Sequence, residues 1–149
     1  CIQRLEELVT PDCEVFDVGT GSGILAMAAA LLGAKTIHAV DIDEKAVEVA
    51  KENIAQNGLS SRITVNQGNL LDGTPGQTDL IIANIIADII ILVLPEVAVK
   101  LRQNGRFLAS GIIEERLPDV EKAARENGFT FLDVKRKAGW CAVTMGKEG

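Results

Sequence analysis

Short runs rich in valine and isoleucine alternate with longer helical stretches through most of this chain, and that alternation leaves few folds open. The runs "EVFDV" (Glu14–Val18), "TIHAV" (Thr36–Val40), "RITVNQ" (62–67), "DLIIA" (79–83) and "RFLAS" (106–110) read as strands. Several are apolar without alternation, a pattern a strand can carry when both faces of its sheet are covered. Between them lie "GILAMAAALL", stopped by Gly33; "AVEVAKENIAQN", started by an Asp43 cap and stopped by Asn57-Gly58; and a helical stretch from about Ile86 to Arg102. Units of this kind build a parallel sheet with helices on both faces. A charged helix, "EERLPDVEKAAREN", follows, ending at Asn127-Gly128, and the last strands "FTFLDVKRK" and "WCAVTM" are close enough to pair antiparallel. The expectation is an α/β fold with about seven strands, folded as one domain over the 149 residues.

Three details are expected within that frame. The opening "CIQRLEELV" reads as the later part of an amphipathic helix with Ile2, Leu5, Leu8 and Val9 on one side, so the chain is expected to start mid-domain. The second internal helix keeps Ala46, Val47, Ala50, Ile54 and Ala55 on a face. Pro95 is expected either to kink its helix or to begin a new one.

Charge and cysteine content exclude several function classes. With 21 acids against 15 bases the net charge is −6, which disfavours direct nucleic-acid binding and favours a basic partner. Cys1, Cys13 and Cys141 have neither metal-like nor paired spacing, so buried reduced thiols of a cytoplasmic protein are expected, and no metal. The most apolar run, "DLIIANIIADIIILVLPE", is interrupted by Asn84, Asp88 and Pro95 and falls short of the roughly 20 residues a membrane span needs.

The loop after the first strand, "DVGTGSGILA", stands where open parallel sheets bind nucleotide-like ligands. Gly19 and Gly21 admit a tight turn and close approach, and Gly23 opens a helix whose free N–H groups favour an anionic group. A dinucleotide fingerprint needs a small residue where Ile24 stands, and no "GK[ST]" follows to make a phosphate-binding P-loop. The spacing G-x-G-x-G is instead associated, by resemblance, with S-adenosylmethionine (AdoMet). At the end of the second strand Asp41 is placed to accept both hydroxyls of a ribose, with Ile42 offering an apolar face to adenine. After the third strand, Asn69 and Leu70 are candidates for the adenine edge and face; a turn-forming role is the other reading of Asn69.

Asn84 ends the fourth strand, on the same sheet edge as the glycine loop and Asp41. A buried amide there is expected to meet backbone groups or a substrate, since leaving it unpaired costs about 1–3 kcal/mol. Its oxygen suits an amine acceptor, holding N–H groups so that the lone pair faces a methyl group; a carboxylate would favour the ammonium instead. The single histidine, His38, is mid-strand and reads as a packed residue, and Asp88 as a first-turn helix acid.

In this order, "DVGTGSGILA", "AVDID", "NIIAD" and "SGIIEE" resemble the methyltransferases of ribosomal large-subunit protein eleven, the PrmA type. The resemblance runs from the opening helix to Gly139-Trp140. It implies the seven-stranded class I methyltransferase fold with one antiparallel strand, AdoMet as donor, and methylation of lysine and N-terminal amines on a basic ribosomal protein. By the same resemblance Asp17, Gly19, Thr20, Gly21 and Gly23 form the methionine-side loop, Asp41 and Ile42 meet ribose and adenine, Asn69 and Leu70 lie near the adenine, and Asn84 is at the transfer site, both catalytic and among the cofactor-binding residues. It also implies a recognition domain and a donor-covering segment ahead of this chain. Asn69 stands where the family pattern has an aspartate. The alternatives are a methyltransferase for a small molecule or RNA, a domain that binds AdoMet without catalysis, and, more remotely, an NAD-dependent oxidoreductase.

Overall fold

The computed structural model describes residues 2–72 and 74–147, and the side chain of Ile2 and the whole of Cys1 lie outside what it describes. Its seven strands are β1 (Glu14–Val18), β2 (Thr36–Asp41), β3 (Ile63–Gln67), β4 (Thr78–Asn84), β5 (Leu101–Ile113), β6 (Phe129–Lys137) and β7 (Trp140–Lys147). They form one sheet in the order β3-β2-β1-β4-β5-β7-β6. All neighbours pair parallel except β7, which runs antiparallel to both β5 and β6.

The five α-helices are α1 (Ile2–Leu8), α2 (Ile24–Leu31), α3 (Glu44–Gln56), α4 (Ala87–Lys100) and α5 (Leu117–Glu126), with a 3-10 turn at Glu114–Arg116 before the last. Two separate apolar clusters show how they cover the sheet. Leu5 of α1, Ala26, Ala29 and Ala30 of α2 and Val47, Ala50 and Ile54 of α3 pack with Val15, Ile37 and Ile82. Ile90, Val93, Leu94 and Val97 of α4 and Val120 and Ala124 of α5 pack with Phe16, Ile81, Phe107 and Val143. Successive side chains of β4 therefore enter opposite cores, which is why "LIIA" is apolar without a break: Leu80, Ile81, Ile82 and Ala83 are each at most 2% exposed. Burying each of the larger ones contributes about 1.5–3 kcal/mol.

Local chemistry explains the helix ends. Asp43 caps α3, its carboxylate accepting from Lys45 N at 3.0 Å. In α3 Val47, Ala50 and Ile54 are buried, Ala46 is half-buried and Ala55 is exposed, so the packed stripe is narrower than its periodicity suggests. Helix α4 runs continuously through Pro95, and no new helix begins there. Pro95 sits on the exposed side, where the carbonyl it leaves unpaired can reach water. The helix gives way directly to β5 at Leu101, five residues before the strand expected from "RFLAS". The physical reason is Leu101 itself, fully buried, with Gly105 leaving room for it: a β-carbon at Gly105 would lie 2.6 Å from Leu101 Cδ1.

Strand order reverses between β1 and β4: α2 and α3 return on one face toward β2 and β3, α4 on the other toward β5. This opens a crevice at the carboxyl ends of β1 and β4, the ligand position of open α/β sheets. Cys13 and Cys141 are buried free thiols, and His38 is half-buried, edge-on to Phe16 with ring centroids 5.9 Å apart. Among the described residues no cluster of metal-ligating side chains occurs and no helix is long and apolar enough to cross a membrane.

Candidate active site

At the switch point lies a cavity of about 320 Å³, within the ~300–1,000 Å³ range of small-molecule sites. It is lined by residues from four carboxyl-terminal strand ends. Val18 and Gly19 follow from β1, Val40, Asp41 and Ile42 from β2, Gly68, Asn69 and Leu70 from the loop after β3, and Ile85, Ile89 and Leu92 from the β4–α4 corner. Five predicted residues thus share one wall system: Gly19, Asp41, Ile42, Asn69 and Leu70.

Each is placed for a local reason. Gly19 has φ +70°, and a β-carbon there would lie 2.8 Å from Ile85 Cγ2, so only glycine lets the β1 turn pass under the β4–α4 corner. Asp41 is held by two backbone donors: Gly21 N reaches one carboxylate oxygen at 2.9 Å and Asp43 N the other at 2.9 Å. Each oxygen keeps a lone pair for a further donor, so the carboxylate can accept from two adjacent hydroxyls. Ile42 is 67% exposed beside it, an apolar face awaiting a cover. Leu70 has φ +56°, a left-handed backbone that costs a non-glycine residue about 1 kcal/mol and that collects at functional sites. Asn69 is exposed, and its backbone carbonyl accepts from Asp72 N at 3.0 Å, closing the turn over residues 69–72.

The other predicted residues stand around the cavity. Gly21 contributes its N–H to Asp41. Gly23 caps the start of α2 at φ +89°, a left-handed backbone that favours glycine; a β-carbon there would make only ordinary contact, 3.4 Å from Ala50 Cβ. Asp17 is buried behind the loop, with Thr20 Oγ1 donating to its Oδ2 at 2.8 Å. Asn84 ends β4 next to Ile85, at the rim. It is exposed, contrary to the buried amide expected of so apolar a run, because the strand carries it past the covering helices to the open edge.

Asn84 is backed by the strand opposite it. Ile85 N donates to Ser110 O at 3.1 Å. Gly111, at φ +82°, faces the amide so closely that a β-carbon would lie 2.9 Å from Asn84 Oδ1 and 3.0 Å from Ile85 O. Asp88, in the first turn of α4, pairs with Arg116 at 2.7 Å. The segments around 84–88 and 110–116 are thereby held together beside Asn84.

The cavity, a glycine loop packed beneath it, and an exposed asparagine at its rim frame the comparison with known proteins. A model of the family "Ribosomal protein L11 methyltransferase (PrmA)" matches residues 1–148. The chain belongs to this family. Ribosomal protein L11 methyltransferases from Desulfitobacterium hafniense and Caldanaerobacter subterraneus are 49% and 46% identical over 94% and 100% of the chain, and the chain spans 45% and 48% of their length. The chain thus covers about half of these curated relatives. The crystal structure of a ribosomal protein L11 methylase from Lactobacillus delbrueckii subsp. bulgaricus superimposes with TM-score 0.94 at 37% identity, covering 99% of this chain and 77% of that one. A tRNA methyltransferase from Bacillus subtilis, at TM-score 0.82 and 19% identity, shares the fold. The fold is the class I methyltransferase fold expected from the sequence.

In this PrmA-family chain, residues that sequence reasoning passed over complete the cavity: Ile85, Ile89 and Leu92. They recur at helical spacing, and Leu92 is 61% exposed. A second apolar stripe on a helix whose core stripe is already Ile90, Val93, Leu94 and Val97 was the available signal.

Asp17 has an electrostatic consequence. Burial pushes its carboxyl up to about 7, against the opposing hydrogen bond from Thr20; the nearby Asp41 raises it further and the Ala26 N–H lowers it. The folded state then keeps this proton up to about pH 7, while the unfolded chain releases it near 3.8. Between those values the folded state binds more protons, so the Asp17 contribution to stability declines as pH rises from about 4 to about 7 and levels off above. At about 1.36 kcal/mol per unit the decline amounts to a few kcal/mol. Thermal melts of Asp17→Asn should show higher stability than the parent at pH 8 and a smaller gain at pH 5; equal melting shifts at both values would refute the buried proton.

Proposed function

We propose that this chain is the donor-binding catalytic domain of an AdoMet-dependent methyltransferase that modifies lysine and N-terminal amines of ribosomal protein L11 in the cytoplasm. The observation that carries the reading is the convergence of Gly19, Asp41, Ile42, Asn69 and Leu70, from three separate loops, on one cavity with Asn84 at its rim. The lining suits an adenosine: the two free lone pairs of Asp41 meet ribose hydroxyls, and Ile42 and Leu70, with Ile89 and Leu92, enclose a flat ring. Thr20, Gly21 and the start of α2 lie toward the methionine end, and Asp17 fixes the loop from behind through Thr20.

Bound there, AdoMet supplies a methyl group on a positively charged sulfur, open to displacement by an amine lone pair. The chain's own part is positioning. A lysine amine, with an ordinary pKa of about 10.4, must lose a proton before its lone pair is free, and entry beside a cationic centre lowers that pKa. The Asn84 amide oxygen accepts one remaining N–H and orients the lone pair. A neutral acceptor does this without stabilising the ammonium form, as a carboxylate would. The net charge of −6 favours approach of a basic protein.

Titration calorimetry of this chain with S-adenosylhomocysteine tests the donor half: one-to-one saturable binding is expected, with NAD failing to compete. Labelled AdoMet with a ribosomal protein mixture and the full-length enzyme tests the acceptor half, with label expected on L11. Absence of nucleoside binding, or label confined to RNA or small molecules, would overturn the corresponding half.

A further inference from the structure

A second concavity, a groove of about 830 Å³, runs between α1 and the β6–β7 hairpin and shares no lining residue with the donor cavity. Ser110 lies in its lining and is the β5 residue opposite Asn84 in the β4–β5 register. Beyond that level the sheet continues: Ile113 pairs with Trp140, and Trp140 with Lys137. At about 3.3 Å per residue the hairpin overhangs Asn84 by roughly 10 Å. The groove therefore reaches, at Ser110, the strand position paired with Asn84.

Both signs line it: helix α1 presents Arg4, Glu6 and Glu7, and the hairpin presents Lys135, Arg136 and Lys137. Glu7 is occupied by Arg4, Arg136 lies 3.3 Å from Glu114, and Lys135 lies 4.0 Å from Asp133. Among the described residues Glu6 and Lys137 have no ion-pair partner. Trp140, 53% exposed, adds a broad rigid apolar surface.

We infer that this groove seats an extended segment of the acceptor polypeptide, a basic side chain against Glu6 and an acidic one against Lys137, and leads its target amine to Asn84. The inference rests on the amine-methyltransferase reading above. A polypeptide is favoured over a nucleic-acid strand by the charges left unpaired: with Arg4, Lys135 and Arg136 facing acids of this chain, a strand would meet one unpaired cation, Lys137, and would bring its phosphates against Glu6, where like charges repel. A polypeptide can match both signs within a few residues. Trp140 gives such a segment contact area with little conformational entropy to lose.

The test uses the full-length enzyme with L11 as acceptor. Glu6→Lys and Lys137→Glu, each measured alone, should raise the KM for L11 by about threefold to tenfold, as rim charges do. Both should leave kcat and the affinity for S-adenosylhomocysteine within about twofold. A photo-crosslinking residue in place of Trp140 should form an adduct with L11. Unchanged KM in both variants, or an adduct only with the enzyme's own chain or with RNA, overturns the groove assignment while leaving the catalytic reading intact. If the unsubstituted enzyme transfers no methyl to L11, the functional reading falls first and takes this inference with it.

Discussion

Asn84→Ala in the full-length enzyme is expected to lower kcat for L11 methylation by about 10²–10³-fold, the loss typical when a positioned hydrogen-bonding group at a reacting centre is removed. The affinity for S-adenosylhomocysteine should stay within about twofold, because Asn84 stands at the rim of the donor cavity and contributes nothing to its lining. The split between the two readouts is what identifies an acceptor-orienting residue. Gly111→Ala is the companion experiment. Its new methyl group would meet Asn84 Oδ1 at 2.9 Å on a backbone already at φ +82°, so either the amide or the strand must move. A displacement of about 1 Å at such a site costs on the order of 10²-fold in rate. The same profile is therefore expected, reduced kcat with donor affinity retained. If donor affinity falls in step with kcat in Asn84→Ala, the residue belongs to the donor site and the orienting role is wrong.

Asp41→Ala should act on the other half of the site. Its carboxylate accepts from Gly21 N and Asp43 N and keeps two more lone pairs for the proposed ribose contact. Hydrogen bonds to charged groups are worth about 1.5–3 kcal/mol each, so losing the ribose contacts should weaken nucleoside binding by about 10²-fold or more. Removing the acceptor also frees two loop N–H groups to water, since neither lies in a closed core, and the cost to folding should be a modest fall in melting temperature. Asp41→Asn separates the two effects: the amide oxygen still accepts one N–H and keeps the loop, but it can no longer accept from both hydroxyls. Calorimetry should find Asp41→Asn close to Asp41→Ala in affinity and close to the parent in stability. Nucleoside binding by either variant at parental strength would remove Asp41 from the ribose contact.

Much of this was legible from local chemistry. The seven strands were readable from Val/Ile-rich runs, because β-branched side chains pack well on pleated surfaces and turn residues punctuate them. The glycine loop and Asp41 were readable because their spacing follows from one strand, one turn and one crossover, all short-range. Asn84 stood out as a polar residue at the end of an apolar run, although its exposure did not, since nothing in "DLIIANIIAD" says how far the strand outruns its covering helices.

The residues that escaped were those whose role depends on a distant partner. Ile85 lies in the corner before α4, and Ile89 and Leu92 on a helix apolar on several sides, where only the packing of α4 against the sheet divides its core stripe from its cavity stripe. The same holds for Gly111, whose purpose is visible only once the β4–β5 register sets it against Asn84. Asp17 was legible as part of the glycine-loop motif, but its buried proton depends on the packing that encloses it in β1. Periodicity, caps and glycine spacing act over a few residues and so are written in the chain. The reversal of strand order at β1 and β4, and the register that brings residues 41, 70, 84 and 111 to one edge, arise from the closing of two cores around the sheet, and only the folded molecule decides them.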